Sequence, residues 1–163
     1  MTLVLVFIIS ALIAAVDQMI KYFVLENLAP IGQTVVIDHL FSLVYVENRG
    51  AAFGMFQNGV WFFSIFTILM IGVFVYLILS KKIQGKLFLV STVLIIGGGI
   101  GNLIDRLFRG FVIDYLSLSF FPPICNFADY CITIGAVLFI ISLFMAEKSE
   151  KKLAITEGDS GHD

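Results

Sequence analysis

Four apolar runs set the pattern of this chain, at residues 2–19, 60–79, 87–103 and 130–145. A helix that crosses a bilayer takes about 20 residues, or about 17–25 with tilt, so the third and fourth runs sit near the short limit. The first run stands where a secretory leader would stand. It lacks a basic start, and its apolar part exceeds the roughly 7–15 residues of a leader's central region, which predicts a retained helix. The second run contains no ionisable residue and is assigned to packing and lipid contact. The third carries Gly97, Gly98, Gly99 and Gly101, of which Gly97 and Gly101 are spaced to let helices approach closely. No Gly-Lys-Ser/Thr follows, so these glycines are not a phosphate-binding loop.

The stretch between the first two runs is too long for a simple connection. Residues 34–38 and 41–47 are rich in Val, Ile, Tyr and Phe and predict a small hairpin or sheet on the membrane surface. In the segment that follows, Gly50 and Gly54 permit unusual backbone angles or close approach. Residues 48–57 read either as a flap over a site or as a plain entry to the second span, where Trp61 and Phe62 suit an aromatic belt. In the connection 104–129, an apolar patch surrounds Asp114, and Pro122-Pro123 forces an extended or turning path. From residue 147 the chain turns polar. This gives one membrane domain, 1–146, and a solvated tail, 147–163, without a catalytic role.

Composition agrees with a mainly α integral membrane protein. The 163 residues are 60% hydrophobic and 13% charged, with a mean hydropathy of +1.03. Soluble domains run about 45–50% apolar and about 25% charged. Net charge is -2 and no basic stripe suggests nucleic acid. Cys125 and Cys131 are too few for a disulfide scaffold and lack zinc-site spacing. Lys81, Lys82 and Lys86 follow the second run, and Lys148, Lys151 and Lys152 follow the fourth. The positive-inside rule puts both clusters, and both chain ends, in the cytoplasm. The connections 21–59 and 104–129 then face outward.

Ionisable groups beside apolar runs are costly and mark a functional site by default. Asp114 and Asp129 can meet from opposite sides of one connection. Two carboxyls held close cannot both ionise, so they share a proton. One then takes a proton from a water attacking a carbonyl, and the other gives a proton to the carbonyl oxygen or the leaving amine. A partly dry site extends that sharing toward neutral pH. Asn102 and Arg106 are one helical turn apart with Asp105 near both. Such a face can hydrogen-bond a peptide backbone, with Arg106 clamping a carbonyl or carboxylate. The same residues also read as an Asp105–Arg106 cluster that merely ends a span. Asp17 and Lys21, four apart, share a helix face and can pair, either to close the first span or to orient the site from behind. Asp129 is also placed to cap a helix, and Asn126 to make a turn.

Other hydrolytic chemistries lack parts. A serine triad, or a cysteine nucleophile at Cys125 or Cys131, needs His39, which stands between predicted strands. A Ser–Lys dyad needs Lys21 to reach Ser117 or Ser119. Metal chemistry lacks a His and carboxylate cluster. Two readings without hydrolysis stay open. One is a small proton-coupled transporter using the acids as a relay, although no internal repeat is found. The other is a non-catalytic helical scaffold.

Five blocks carry a resemblance. They are Asp17-Gln18-Met19-Ile20-Lys21, Asn48-Arg49-Gly50-Ala51-Ala52-Phe53-Gly54, the run Gly97-Gly98-Gly99-Ile100-Gly101-Asn102-Leu103-Ile104-Asp105-Arg106, Val112-Ile113-Asp114-Tyr115 and Asn126-Phe127-Ala128-Asp129. In this order, over nearly all the chain except the tail, they resemble the lipoprotein signal peptidases, also called signal peptidase II. Tyr115 stands where that family usually has Phe, and Cys125 where Phe is common.

The resemblance implies an aspartic endopeptidase of the bacterial cell membrane with four transmembrane helices. It adds a small extracytoplasmic β-sheet cradle at about 34–46 and a surface helix at about 51–58. The implied substrate is a prolipoprotein whose lipobox cysteine bears diacylglycerol, cleaved on the N-terminal side of that cysteine. Asp114 and Asp129 match the catalytic dyad. Asn48, Asn102, Arg106 and Asn126 match positions that contact substrate or the peptide antibiotic globomycin. Asp17, Lys21 and Asp105 match supporting positions, and Gly54 falls in a matched block. No metal or organic cofactor is implied. A monomer is expected, with the site near the outer face and partners limited to prolipoprotein, membrane lipid and globomycin-type inhibitors.

Overall fold

A computed structural model describes residues 2–50, 59–81, 83 and 85–159, with the backbone alone at residue 2 and beyond residue 148. The elements are α1 (Thr2–Phe23), β1 (Gln33–Ile37), β2 (Phe41–Asn48), α2 (Val60–Ser80), α3 (Lys86–Phe108), β3 (Val112–Leu118), β4 (Phe121–Cys125) and α4 (Phe127–Asp159). Four helical stretches, Leu3–Leu28, Val60–Ser80, Lys86–Phe108 and Phe127–Lys148, are long and apolar enough to cross a membrane. The segment 51–58, where a flap or surface helix was expected and where Phe53 and Gly54 lie, falls outside the described residues.

Each helix outlasts the apolar run that predicted it. Beyond α1 the chain makes a wider, π-type turn over Val24–Leu28. α3 continues to Phe108, and α4 begins at Phe127. Apolarity marks only the length that meets lipid. The helix itself goes on where polar side chains find partners, as Asp105 does with Arg109 one turn later. α4 likewise runs to Asp159, so the polar tail expected from residue 147 starts as a continuation of the helix.

α3 is the axis of the bundle, and its glycines explain why. A Cβ on Gly97 would lie 2.7 Å from Ile13 of α1. On Gly98 it would lie 2.5 Å from the Ala128 carbonyl oxygen of α4, and on Gly99 3.1 Å from Met70 of α2. Successive helical residues are rotated by about a quarter turn or slightly more, so three glycines in a row face three different helices. Gly101, one turn beyond Gly97, faces α1 again, 2.6 Å from the Asp17 carboxylate by the same measure. The packing role expected of these residues is the one observed. α1 and α3 run parallel in one register. The Ser10 hydroxyl donates to the Val93 carbonyl, Ile13 meets Gly97, Asp17 meets Gly101 and Lys21 pairs with Asp105.

The sheet is antiparallel, in the order β1-β2-β3-β4. The predicted hairpin is present as β1 and β2. β3 and β4 are additions that the pattern concealed. Val112, Ile113, Asp114 and Tyr115 are all buried, so β3 shows no alternation of apolar and polar positions. β4 contains Pro122-Pro123, which is tolerated because β4 is an edge strand. Ile113 and Tyr115 pack with Val24 and Leu28 in a core under the sheet. Alternation along the strand then turns Asp114 to the opposite face.

Candidate active site

The first turn of α4 presents backbone N–H groups that no helical carbonyl can take. In an apolar bundle such groups must be met from within the protein. The Phe127 N–H donates to the Tyr115 hydroxyl at 3.2 Å, the Ala128 N–H to Asp17 Oδ1 at 3.2 Å and the Asp129 N–H to Asn126 Oδ1 at 2.9 Å. Asp129 Oδ2 in turn accepts the Asn126 N–H at 3.1 Å. Asn126 is therefore the helix cap, and Asp129 is the third helical residue of a reciprocal capping box. This corrects the reading of Asp129 as a cap and of Asn126 as a turn residue. The Tyr115 hydroxyl takes an N–H that a Phe ring could not. Burial raises the Tyr115 hydroxyl above its ordinary range, so it keeps its proton.

Asn126 reaches the other acid as well. Its Nδ2 donates to Asp114 Oδ1 at 2.6 Å, so one residue holds both carboxylates. Asn48 Nδ2 donates to Asp114 Oδ2 at 2.8 Å, and Asn102 Nδ2 donates to Asp129 Oδ1 at 2.8 Å. In each of the three amides the oxygen is already occupied by a donor. The Gly50 N–H fills that of Asn48, Lys21 Nζ that of Asn102 and the Asp129 N–H that of Asn126. None can turn over without losing that bond, so all three present NH₂ to an acid.

The electrostatics follow from burial. Asp114 is 3% exposed, and its carboxyl is pushed up to about 7. Desolvation is the main cause and the charge of Asp129 the second, while the amides of Asn48 and Asn126 pull the other way. The charge of Asp129 thus helps to keep the proton on Asp114 toward neutral pH.

Behind the pair lies a second layer of polar groups. Lys21 is fully buried and donates to Asp17 Oδ2, Asp105 Oδ2 and Asn102 Oδ1, each at 2.8 Å. That uses all three ammonium protons. Asp105, also fully buried, accepts the Ile113 N–H at 3.1 Å and Arg109 at 2.6 Å. Ile113 precedes Asp114, so Asp105 ties down the strand that carries it. Gln18 donates to Asp105 Oδ1 at 3.1 Å and to the Gly101 carbonyl at 3.0 Å, and accepts from Arg109 at 2.9 Å. Among the described residues no buried side-chain N or O atom lacks a partner.

The structure gathers Asp17, Lys21, Asn48, Asn102, Asp105, Asp114, Asn126 and Asp129 into one connected network. Arg106 stands apart. The alternative reading, an Asp105–Arg106 cluster, is not formed, because successive helical residues diverge and Asp105 turns to Lys21 and Arg109 instead. The Arg106 guanidinium lies 5.7 Å from the Phe63 ring centre, and among the described residues it makes no hydrogen bond or ion pair. Its charge still interacts with those of Asp129 and Asp114. Sequence reasoning missed Gln18 and Arg109 as members, although the four-residue spacing of Asp105 and Arg109 was a signal for the latter.

The rival nucleophiles fare badly. Lys21 is saturated by acidic and amide partners, so it cannot serve Ser117 or Ser119 as a base. The Cys125 thiol is pushed up to about 11 by burial and by the charges of Asp129 and Asp114, which disfavours the reactive thiolate. His39 occupies the β1–β2 turn in a left-handed conformation (φ 57°), and among the described residues no hydrogen bond joins it to either cysteine. Among the described residues no group of three or more His, Cys, Asp or Glu side chains is arranged to hold a metal ion.

Comparison with known proteins agrees with this geometry. The Peptidase_A8 family model, described as Signal peptidase (SPase) II, matches residues 9–145. A protein of Caldanaerobacter subterraneus subsp. tengcongensis named Lipoprotein signal peptidase is 43% identical over 131 residues, covering 80% of this chain and 90% of its own. One of the same name from Streptococcus thermophilus is 44% identical over 133 residues, covering 80% and 86%. A solved structure described as a bacterial membrane enzyme superposes with a TM-score of 0.78 at 30% identity, covering 88% of this chain and 90% of that one. With four helices able to cross a membrane and a four-stranded sheet among the described residues, and a family match over most of its length, the chain belongs to the signal peptidase II family of membrane peptidases.

Proposed function

We propose that Asp114 and Asp129 are the catalytic acids of a peptidase that removes signal peptides from prolipoproteins. The observation that carries this is the hold of Asn126 on both carboxylates, with the amides of Asn48 and Asn102 completing the enclosure. A water between the acids attacks the scissile carbonyl and gives its proton to the ionised carboxylate. The protonated partner donates to the carbonyl oxygen, and collapse of the tetrahedral species delivers a proton to the leaving amine. Arg106, a cation beside the pair with no hydrogen-bonding partner among the described residues, is free to grip a carbonyl of the substrate.

The substrate we assign is a prolipoprotein carrying diacylglycerol on its lipobox cysteine, cut on the N-terminal side of that cysteine. Exposed Trp61, Phe62 and Phe108 at the site end of the bundle favour lateral entry of so apolar a load. The lysines at the other end favour cytoplasmic chain termini and a site near the outer face. Globomycin-type peptides then compete for the same groups, and a single chain suffices. Neither a proton-coupled transporter nor an inert scaffold draws support. Asp129 is not the cap of α4, and Asn102 holds it from a second helix.

The test is cleavage of a diacylated lipobox peptide by the purified chain in lipid, beside its unlipidated counterpart. Cleavage before the lipidated cysteine is expected. Asp114→Asn and Asp129→Asn should each lose about 10²–10⁴-fold in rate while inserting normally. Near wild-type turnover in either variant would remove the dyad.

A further inference from the structure

At the opposite end of α3 the bundle opens. The close contact of α1 with α3 depends on Ser10 and the glycines at 97 and 101. Toward Lys86 those small residues give way to Leu89 and Val90 on α3, facing Leu5, Val6 and Ile9 on α1. These larger side chains hold the helices apart and leave a cavity of about 500 Å³. Its walls are apolar, and among the described residues Lys86 is the one charged side chain in its lining. Val6 forms a buried wall, whereas Leu5 and Val90 are 55% and 49% exposed, so the groove opens sideways from the bundle. Asn102 lies 16 residues along α3 from Lys86, about 24 Å at about 1.5 Å per residue. Lys86 therefore stands at the opposite membrane face from the acid pair, and the groove runs from it along α1 and α3 to Ile13 and Leu94, short of Asn102.

We propose that this groove binds one acyl chain of an anionic phospholipid, with the lipid phosphate at Lys86. An apolar slot that opens toward lipid and carries the Lys86 cation at its polar end matches an amphiphile with a negative head. Lys86 is exposed, and among the described residues its side chain has no hydrogen-bond or ion-pair partner. It is also the first residue of α3, whose cap Gly85 supplies no side-chain bond, so backbone N–H groups add to the attraction for a phosphate. A leader peptide is the poorer fit, because its basic start would meet Lys86 with like charge.

Native mass spectrometry of the full chain, titrated with dioleoyl phosphatidylglycerol and dioleoyl phosphatidylcholine, tests this. One bound phosphatidylglycerol is expected, preferred about fivefold over phosphatidylcholine. Lys86→Gln should equalise the two lipids. Val90→Trp, which fills the groove from its exposed rim, should lower retention of both, and Leu5→Trp serves if that variant does not fold. Equal retention by the wild type, a preference that survives Lys86→Gln, or unchanged retention in a folded groove-filling variant would overturn the proposal. Peptide cleavage should stay at the wild-type level in all three variants, so failure here is distinguishable from failure of the dyad.

Discussion

Asn126 and Asp129 bond to each other in both directions, the side chain of each accepting the backbone N–H of the other. The orientation of one acid is thereby fixed by the start of a helix. Asn126→Ala removes the cap and a donor to Asp114 at once. It should cost about 1 kcal/mol of stability and lower cleavage by about 10–100-fold. Asn126→Asp keeps an oxygen for the cap but turns a carboxylate on Asp114, so it should lose activity while melting closer to wild type. Thermal melts and cleavage rates on the same preparations check both outcomes.

The pH profile should fall on its alkaline side with a midpoint near 7, where Asp114 gives up the proton the pair shares. The Asn48 amide favours the carboxylate form, so Asn48→Leu should move that limb upward. A downward shift would contradict the assignment. The sign for stability is set by the same raised carboxyl. Its contribution is full below the ordinary value of 3.8 and is lost as pH rises through about 7.

Lys21→Met leaves the buried Asp17 carboxylate without its cation, beside an Asp105 that keeps only Arg109. Removing one partner of a buried ion pair typically costs about 3–5 kcal/mol. The variant should melt far below wild type in detergent. Adding Asp17→Asn to it should recover part of the loss, because one uncompensated charge is then gone.

Arg109 touches neither acid of the pair, yet it clamps Asp105, which holds the N–H of Ile113. We expect Arg109→Gln to lower kcat about tenfold with KM little changed. Arg109→Lys should restore part of the rate, because a cation returns beside Asp105. An unchanged kcat would make Arg109 a surface residue only.

The helices and the composition of the site were legible in the sequence because lipid imposes a coarse rule: long apolar runs, and few charges that are not needed. Asp17, Lys21, Asn102, Asp105, Asp114 and Asp129 stood out against that background. What stayed hidden depends on partners distant in the chain. β3 is buried on both faces and shows no alternation, and β4 contains adjacent prolines. The other N–H groups in the first turn of α4 go to Tyr115 and Asp17, far apart in sequence. Gln18 offered no charge to notice, yet it joins Asp105, Arg109 and Gly101.

Where Gly97, Gly98 and Gly99 stand, three neighbouring helices meet main chain rather than side chain. Main chain is common to every amino acid, so that centre cannot be retuned by exchanging one residue for another. No smaller residue exists; a larger one at Gly97 or Gly98 must push a helix aside, and one at Gly99 presses on Met70. Descendants of this chain are free to repaint the lipid-facing shell, but they inherit the middle unchanged, and with it the spacing of whatever the helices carry at their ends.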